Sequence, residues 1–229
     1  MYKGNRCGLR MLCLLFFSSA LVNLSHANEY TLEIGLGSGL WGGSWSQATR
    51  DTDSSLGLAT KALLMPALAA SLNWQGPHLF GPVSFNASAG LGLWSGSLAG
   101  VQDGDLERAH SILAFALEAR PTLSAEFSLS RGELITELSL GTGFVLGPIL
   151  AIDDLPGYRS VSKTSPLFLK RFFGTAGLGL GYRPNPSFSF LLRTEAALAD
   201  FDEARGSKPT WMGRFMVSMA YALPAKERE

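Results

Sequence analysis

Several residue groups in this 229-residue chain have types and spacings that could do chemistry. Glycine-rich beads, GTAGLGLGY at 174–182, GLGSG at 35–39, GLGLWSG at 90–96 and GTG at 141–143, have the composition of a phosphate cradle. A dinucleotide fingerprint, however, needs G-x-G-x-x-G in a turn between a strand and a helix. From Gly177 the third glycine of that spacing falls on Tyr182, no helical period follows, and the beads at 35–39 and 90–96 fail the same spacing. His78 and His110, the latter beside Ser111, are the candidate bases for a nucleophile. Neither lies on a strand with a serine and an acid spaced to build a triad, so no enzyme is expected. Asp103, Asp105 and Glu107 carry carboxylates but lack the rest of a calcium-loop pattern, and they read as a polar loop tip. No cofactor and no metal are expected.

The elements that must position these residues begin after the first 27. Lys3, Arg6 and Arg10 form a positive region, an apolar run extends from Leu12 to Leu24, and Ser25-His26-Ala27 offers small residues at a cleavage site. That is the pattern of a secretory signal peptide, too short and wrongly flanked for a membrane helix. Its removal leaves 202 residues, enough for one domain, and takes away both cysteines, Cys7 and Cys13, so no disulfide can form. The remaining chain has sixteen basic and nineteen acidic residues, a net charge of −3 that disfavours nucleic-acid binding. Beyond residue 27 no apolar run approaches the ~18 residues of a helical span.

Period-two alternation then recurs in eight segments, each bounded by turn residues. They cover about 30–36, 58–74, 83–93, 113–127, 134–146, 168–182, 188–198 and 211–223. In the sixth, Leu178, Leu180 and Tyr182 share one face while Gly177, Gly179 and Gly181 share the other. The connections after segments two, four and six are short. Those after one, three, five and seven, at about 41–56, 97–110, 147–166 and 200–209, are long and hold ten acidic and six basic residues. Short turns on one side and long polar loops on the other are the layout of an outer-membrane barrel, with both chain ends on the periplasmic side.

A soluble sandwich or lipocalin-like barrel would also alternate. Against it, the apolar face carries a single charge, Lys170, and the opposite face is mostly Gly, Ala, Ser and Thr. A solvated sheet face would be rich in Lys and Glu, whereas small side chains suit the inside of an eight-stranded barrel. Aromatic residues also gather at strand ends: Tyr30, Trp74, Phe85, Phe127, Tyr182, Phe188 and Tyr221 at the short-turn end, with Phe144, Phe168 and Trp211 at the long-loop end. Two aromatic girdles around an aliphatic band mark lipid interfaces. The expected fold is therefore all-β, an eight-stranded antiparallel up-and-down transmembrane β-barrel over 28–223, with a short charged periplasmic tail at 224–229. Pro66 and Pro121 conflict with a closed barrel and mark either a bulge or a slip of register.

The lumen-facing set contains Glu33, Glu118, Glu126, Glu137 and Glu195 with Lys61, Arg120, Arg171, Arg193 and Arg214. Equal numbers of acids and bases in so narrow a space predict a network of ion pairs, because isolated buried charges are too costly. Apolar residues, among them Leu63, Met65, Trp94, Ile112, Phe173 and Met212, share the lumen. The whole arrangement resembles the small eight-stranded outer-membrane barrels of the OmpA-transmembrane, OmpX and OmpW group, and within it leans towards OmpW. That resemblance rests on pattern and implies an outer-membrane location, lipid contact and, on the OmpW side, passage of small hydrophobic solutes. The first functional expectation is a narrow passive conduit. The alternative is a non-transporting structural or adhesin-like barrel that meets a surface ligand through its long loops.

Overall fold

The computed structural model describes residues 30–155, 157–164, 168–199 and 210–223; the expected signal peptide and charged tail lie outside the described residues. The elements run β1 (Tyr30–Gly43), α1 (Ser44–Ser55), β2 (Ala59–Leu63), β3 (Met65–Phe80), β4 (Val83–Gln102), β5 (Asp105–Ser128), β6 (Glu133–Val145), β7 (Ile149–Leu155) and β8 (Tyr158–Thr164). A 3-10 turn (Phe168–Arg171), β9 (Phe172–Asn185), β10 (Phe188–Ala199) and β11 (Thr210–Ala222) complete the chain.

Eight of these strands close a ring in the order β1-β3-β4-β5-β6-β9-β10-β11, sealed by antiparallel pairing of β1 with β11 from Thr31↔Ala222 to Gly43↔Thr210. Closure satisfies every ladder and leaves no edge, which is what a sheet in lipid requires. Alternation sets the two faces. Outward residues such as Leu32 (43%), Leu91 (55%), Phe115 (56%), Leu138 (51%), Leu178 (65%) and Phe215 (50%) stay exposed in a continuous apolar belt. In water that belt would be an aggregation surface; in a bilayer it meets its own kind of solvent. The fold is thus an eight-stranded antiparallel up-and-down transmembrane barrel, the architecture expected from the alternating segments.

Three expected loops have different structures. The 97–110 region is unbroken hairpin: β4 and β5 stay paired to Gln102↔Asp105 around Asp103 and Gly104, whose φ values of 52° and 96° are the left-handed pair a two-residue turn needs. The 147–166 region holds the β7–β8 hairpin, with β7 continuing the β6 line along β5 after a break at 146–148. The 41–56 region is the end of β1 followed by α1. Together β2, β4, β5, β7 and β8 form a sheet that runs past the ring at the long-loop end. The fourth expected loop, 200–209, lies outside the described residues.

The two prolines behave differently. Across β2 and β3 the register against β4 moves from Leu63↔Ser97 to Leu68↔Leu93, one additional residue at the break beside Pro66. Because side chains alternate with period two, that single residue reverses which face each β2 side chain takes. Pro121 sits in constant register opposite Ala87, and the pairing of β5 with β6 merely skips Arg120 and Pro121.

Candidate functional site

Inward-facing positions of β1, β3, β5, β6, β9, β10 and β11 converge on a column of charges inside the barrel. At mid-height Arg214 makes a two-pronged pair with Glu118, at 2.8 Å (Nη1 to Oε1) and 2.6 Å (Nη2 to Oε2), and also bonds Glu195. Arg120 donates to Glu195 from the other side. Trp94 donates its indole N–H to Glu118 Oε1 at 2.6 Å, and the Arg214 guanidinium lies 4.0 Å from the Trp94 ring centroid. All five residues are buried. Two carboxylates and two guanidiniums in shared bonds form a neutral cluster, the arrangement that lets charges stay out of water.

Room for this cluster comes from glycine. A Cβ on Gly92 would lie 1.9 Å from Glu118 Oε1 and 2.6 Å from Arg214 Nη1, so a larger residue would push that pair aside. Gly177 likewise leaves space for Glu195, and Gly179 for Glu137.

Towards the short-turn end the pattern changes. Arg193 bonds Glu33 and, at 2.6 Å, Glu137, while Asn73 donates to Glu33 at 2.9 Å. Lower still, Arg183 bonds Glu126 at 3.0 Å and Glu133 at 2.9 Å. Each arginine here serves two carboxylates, so this half has two more acids than bases. All of these residues except Glu133 line a small polar cleft of about 60 Å³, partly open to solvent and reached by Gln75, Asn86 and Ser124.

Towards the long-loop end the lumen is solid. Trp41, Trp94, Leu98, Ile112, Ala114, Ala116, Val145, Ile149, Phe173, Ala197 and Met212 form one buried apolar cluster, with Trp94 and Phe173 in an edge-to-face contact at 5.6 Å. Above it α1 lies against β1, β2, β4 and β11 with Ser46, Thr49 and Asp53 turned inward and buried. Arg108 ties this region together: it lies 3.6 Å from Asp53 and 3.2 Å from Asp153 on β7. His110 Nδ1 also bonds Asp153, and the His110 ring faces Trp41 at 5.8 Å. Burial raises the Asp153 pKa, but the bonds from His110 and Arg108 outweigh it and hold the carboxyl below its ordinary 3.8.

The structure brings together eight of the ten charges expected in the lumen: Glu33, Glu118, Arg120, Glu126, Glu137, Arg193, Glu195 and Arg214. Lys61 is not among them. The residue gained beside Pro66 turns Lys61 to the outer face opposite Ala99, where it is exposed, and brings Thr60 inward. Arg171 lies in the 3-10 turn before β9, half-buried, rather than on the strand that was expected to begin at Phe168. Leu63, for the same reason as Lys61, is 38% exposed on the outer face. Missed from sequence were Arg183 and Glu133, each one residue beyond a segment end, although their inward parity with Gly181 and Ile135 would have placed them. Arg108, Asp53 and Asp153 fall in stretches that the sequence presents as long polar loops, where no parity can be read.

The expected interface aromatics take outward positions at the barrel's ends. Tyr30 pairs with Trp74, which meets Phe85 edge-on at 6.3 Å. Phe188 and Tyr221 pack at 5.1 Å, and Tyr182 donates its hydroxyl to the Arg131 carbonyl at 2.5 Å. Phe127 (45%) lies exposed at the same end and Trp211 (44%) at the other.

No family model matches the chain, and no curated protein matches it. Among solved structures it is similar to Ail, the attachment invasion locus protein of Yersinia pestis, at 13% identity and TM-score 0.41, covering 86% of this chain and 99% of that one. It is similar to Neisserial surface protein A at 7% identity and TM-score 0.40, covering 84% and 96%. It is also similar to the outer membrane protein OprG from Pseudomonas aeruginosa at 12% identity and TM-score 0.35, covering 87% and 97%.

Proposed function

We propose that this protein is an integral outer-membrane barrel with a closed lumen, which acts as a surface-interaction protein through the sheet and helix at its long-loop end. The apolar belt contacts membrane lipid, the long-loop end faces outward, and the two chain ends lie on the periplasmic side. One observation carries the reading: the apolar cluster from Trp41 to Met212 fills the lumen at the end where β4 and β5 run past the ring and are joined there by β2, β7 and β8. A barrel built to conduct would keep that cross-section open, since even small solutes need a continuous path. The polar cleft at the opposite end then serves as a blind vestibule rather than half of a pore.

The outward sheet offers side chains suited to contact. Tyr158 (63%) and Val161 (54%) are exposed on β8, beside Arg159 and Lys163. A role in catalysis gains no support at His110, because the nearby hydroxyls are engaged elsewhere: Ser111 donates to Ser97 at 2.9 Å, and Ser97 to the His110 carbonyl at 3.3 Å.

Purified protein in planar bilayers is expected to give no discrete conductance and no flux of small apolar dyes; steady single-channel steps would restore the conduit. Cells displaying the protein should adhere to immobilised matrix proteins or glycans. Replacing residues 151–162 with a short Gly-Ser turn should abolish that adherence while the barrel keeps its heat-modifiable gel migration.

A further inference from the structure

Helix α1 and the β7–β8 hairpin come from distant parts of the chain and approach the long-loop mouth from different sides, yet both end on the same guanidinium. On the helix side, Ser46, Thr49 and Asp53 recur at helical spacing and form a polar face turned inward. Asp53 lies in the last turn, where the negative end of the helix dipole disfavours a carboxylate. It is nevertheless fully buried, accepts a bond from Thr60 at 2.9 Å, and packs on the backbone of Gly100, where a Cβ would lie 3.0 Å from its Oδ1. The cation that compensates it is Arg108, at 3.6 Å. On the hairpin side, Asp153 accepts from the other terminal nitrogen of Arg108 and from His110. The register of β4 against β5 shifts immediately beyond Arg108, from Gly100↔Arg108 to Val101↔Leu106, leaving Glu107 as the additional residue. Such a bulge re-aims its neighbours.

We infer that Arg108 couples α1 and the β7–β8 hairpin into one latch over the long-loop mouth, so that releasing either from Arg108 loosens the other. A guanidinium suits this role because its two terminal nitrogens stand apart: Nη2 bonds Asp153 while Nη1 lies 3.6 Å from Asp53 in a purely electrostatic contact, whereas an ammonium is a single point of charge. If one carboxylate leaves, Arg108 loses half of its compensation, and the remaining carboxylate alone must keep it in place at 16% exposure. Whatever pulls on the hairpin from outside therefore reaches α1 and the Trp41 ring beneath it.

Single-cysteine probes test the coupling cleanly, since the only native cysteines, Cys7 and Cys13, lie in the segment expected to be removed. Thr49→Cys reports from beneath α1, and Ser160→Cys reports from the inward face of the hairpin, opposite Asp153. In the folded barrel in detergent, both should react slowly with a charged maleimide. Arg108→Gln should accelerate both by tenfold or more with unchanged heat-modifiable migration, and Arg108→Lys should give intermediate rates. The discriminating variant is Asp53→Asn, which touches only the helix side yet should also accelerate Ser160→Cys. Acceleration confined to the Thr49 probe, or none at either probe, would overturn the coupling. Arg159→Gln breaks an exposed pair on the same hairpin and should leave both rates unchanged. If Arg108→Gln fails to fold, Asp53→Asn alone decides the matter.

Discussion

The two halves of the lumen are built from the same strands, yet they solve opposite problems. Towards the short turns, Arg193 and Arg183 each hold two carboxylates; Arg193 and Glu33 are buried, but Arg183, Glu126 and Glu133 reach water, so the excess of negative charge at that end is tolerated by solvation. Towards the long loops, Glu118, Glu195, Arg120 and Arg214 balance one another without solvent, and above them the barrel is filled with apolar side chains. Charge balance follows water access. Where water enters, pairing can be loose; where it does not, every charge needs a partner of the opposite sign.

That contrast is easiest to break at Arg214, which is 2% exposed. Arg214→Ala leaves Glu118 and Glu195 buried with half their compensation and should cost about 3–5 kcal/mol, the usual penalty for orphaning a buried partner. Urea unfolding from lipid vesicles, followed by tryptophan fluorescence, would measure it. Trp94→Ala removes the ring that separates the charges from the apolar cluster, together with the N–H bonded to Glu118. A loss of about 3–4 kcal/mol is expected from the large-to-small change, and bilayer recordings should show conductance appear if this ring is part of the seal. In the open half, Arg183→Gln should be mild, about 1 kcal/mol or less, because the side chain is 23% exposed and water can replace what it gives. A cost for Arg183→Gln equal to that of Arg214→Ala would erase the distinction between the halves.

The smallest expected effect concerns acid. Asp153 faces Arg108 and His110 on β5, with Asp53 of α1 beyond Arg108, Trp41 of β1 against His110, and Ser160 opposite on β8. Its carboxyl titrates below its ordinary 3.8. A depressed carboxylate contributes stability above the unfolded value, and that contribution is lost as pH falls through the folded one. The hairpin should therefore be firm at neutral pH and loosen only below about pH 4. Amide exchange of 149–155 measured near pH 6 and near pH 3, each corrected for intrinsic rate, would show it, and Asp153→Asn should remove the difference.

How much of this was legible in the sequence varies with the physical signal each part leaves. The eight ring strands were readable because lipid on one side and a narrow lumen on the other impose strict alternation. The lumen acids and arginines followed from parity alone. The outward sheet left no such signal: from Gly96 to Val101 the chain is glycine, serine and apolar residues with no polar–apolar alternation. α1 leaves little signal because SWSQATRDTDSS has no apolar stripe, and its buried positions among the described side chains are serine, threonine and aspartate. Lys61 and Leu63 were misplaced by a single residue beside Pro66, since parity reasoning is only as good as its count. The Arg108 cluster joins residues 43 to 55 positions apart, and no local pattern reports such a meeting.

The seam between β1 and β11 has a consequence in time as well as in space. The barrel closes by pairing its first strand with its last, and the bond from Arg193 to Glu33 spans 160 residues. Until the final strand arrives, Glu33, Glu118 and Glu195 lack arginines that belong to β10 and β11, and an unfinished sheet would present these carboxylates to lipid. Contacts this distant in sequence are slow to form, and here the charges are satisfied only when they do. The lumen network thus acts as a check on completion: a chain that stops short of residue 214 has a wall but no neutral interior, and insertion into the bilayer should be cooperative with closure.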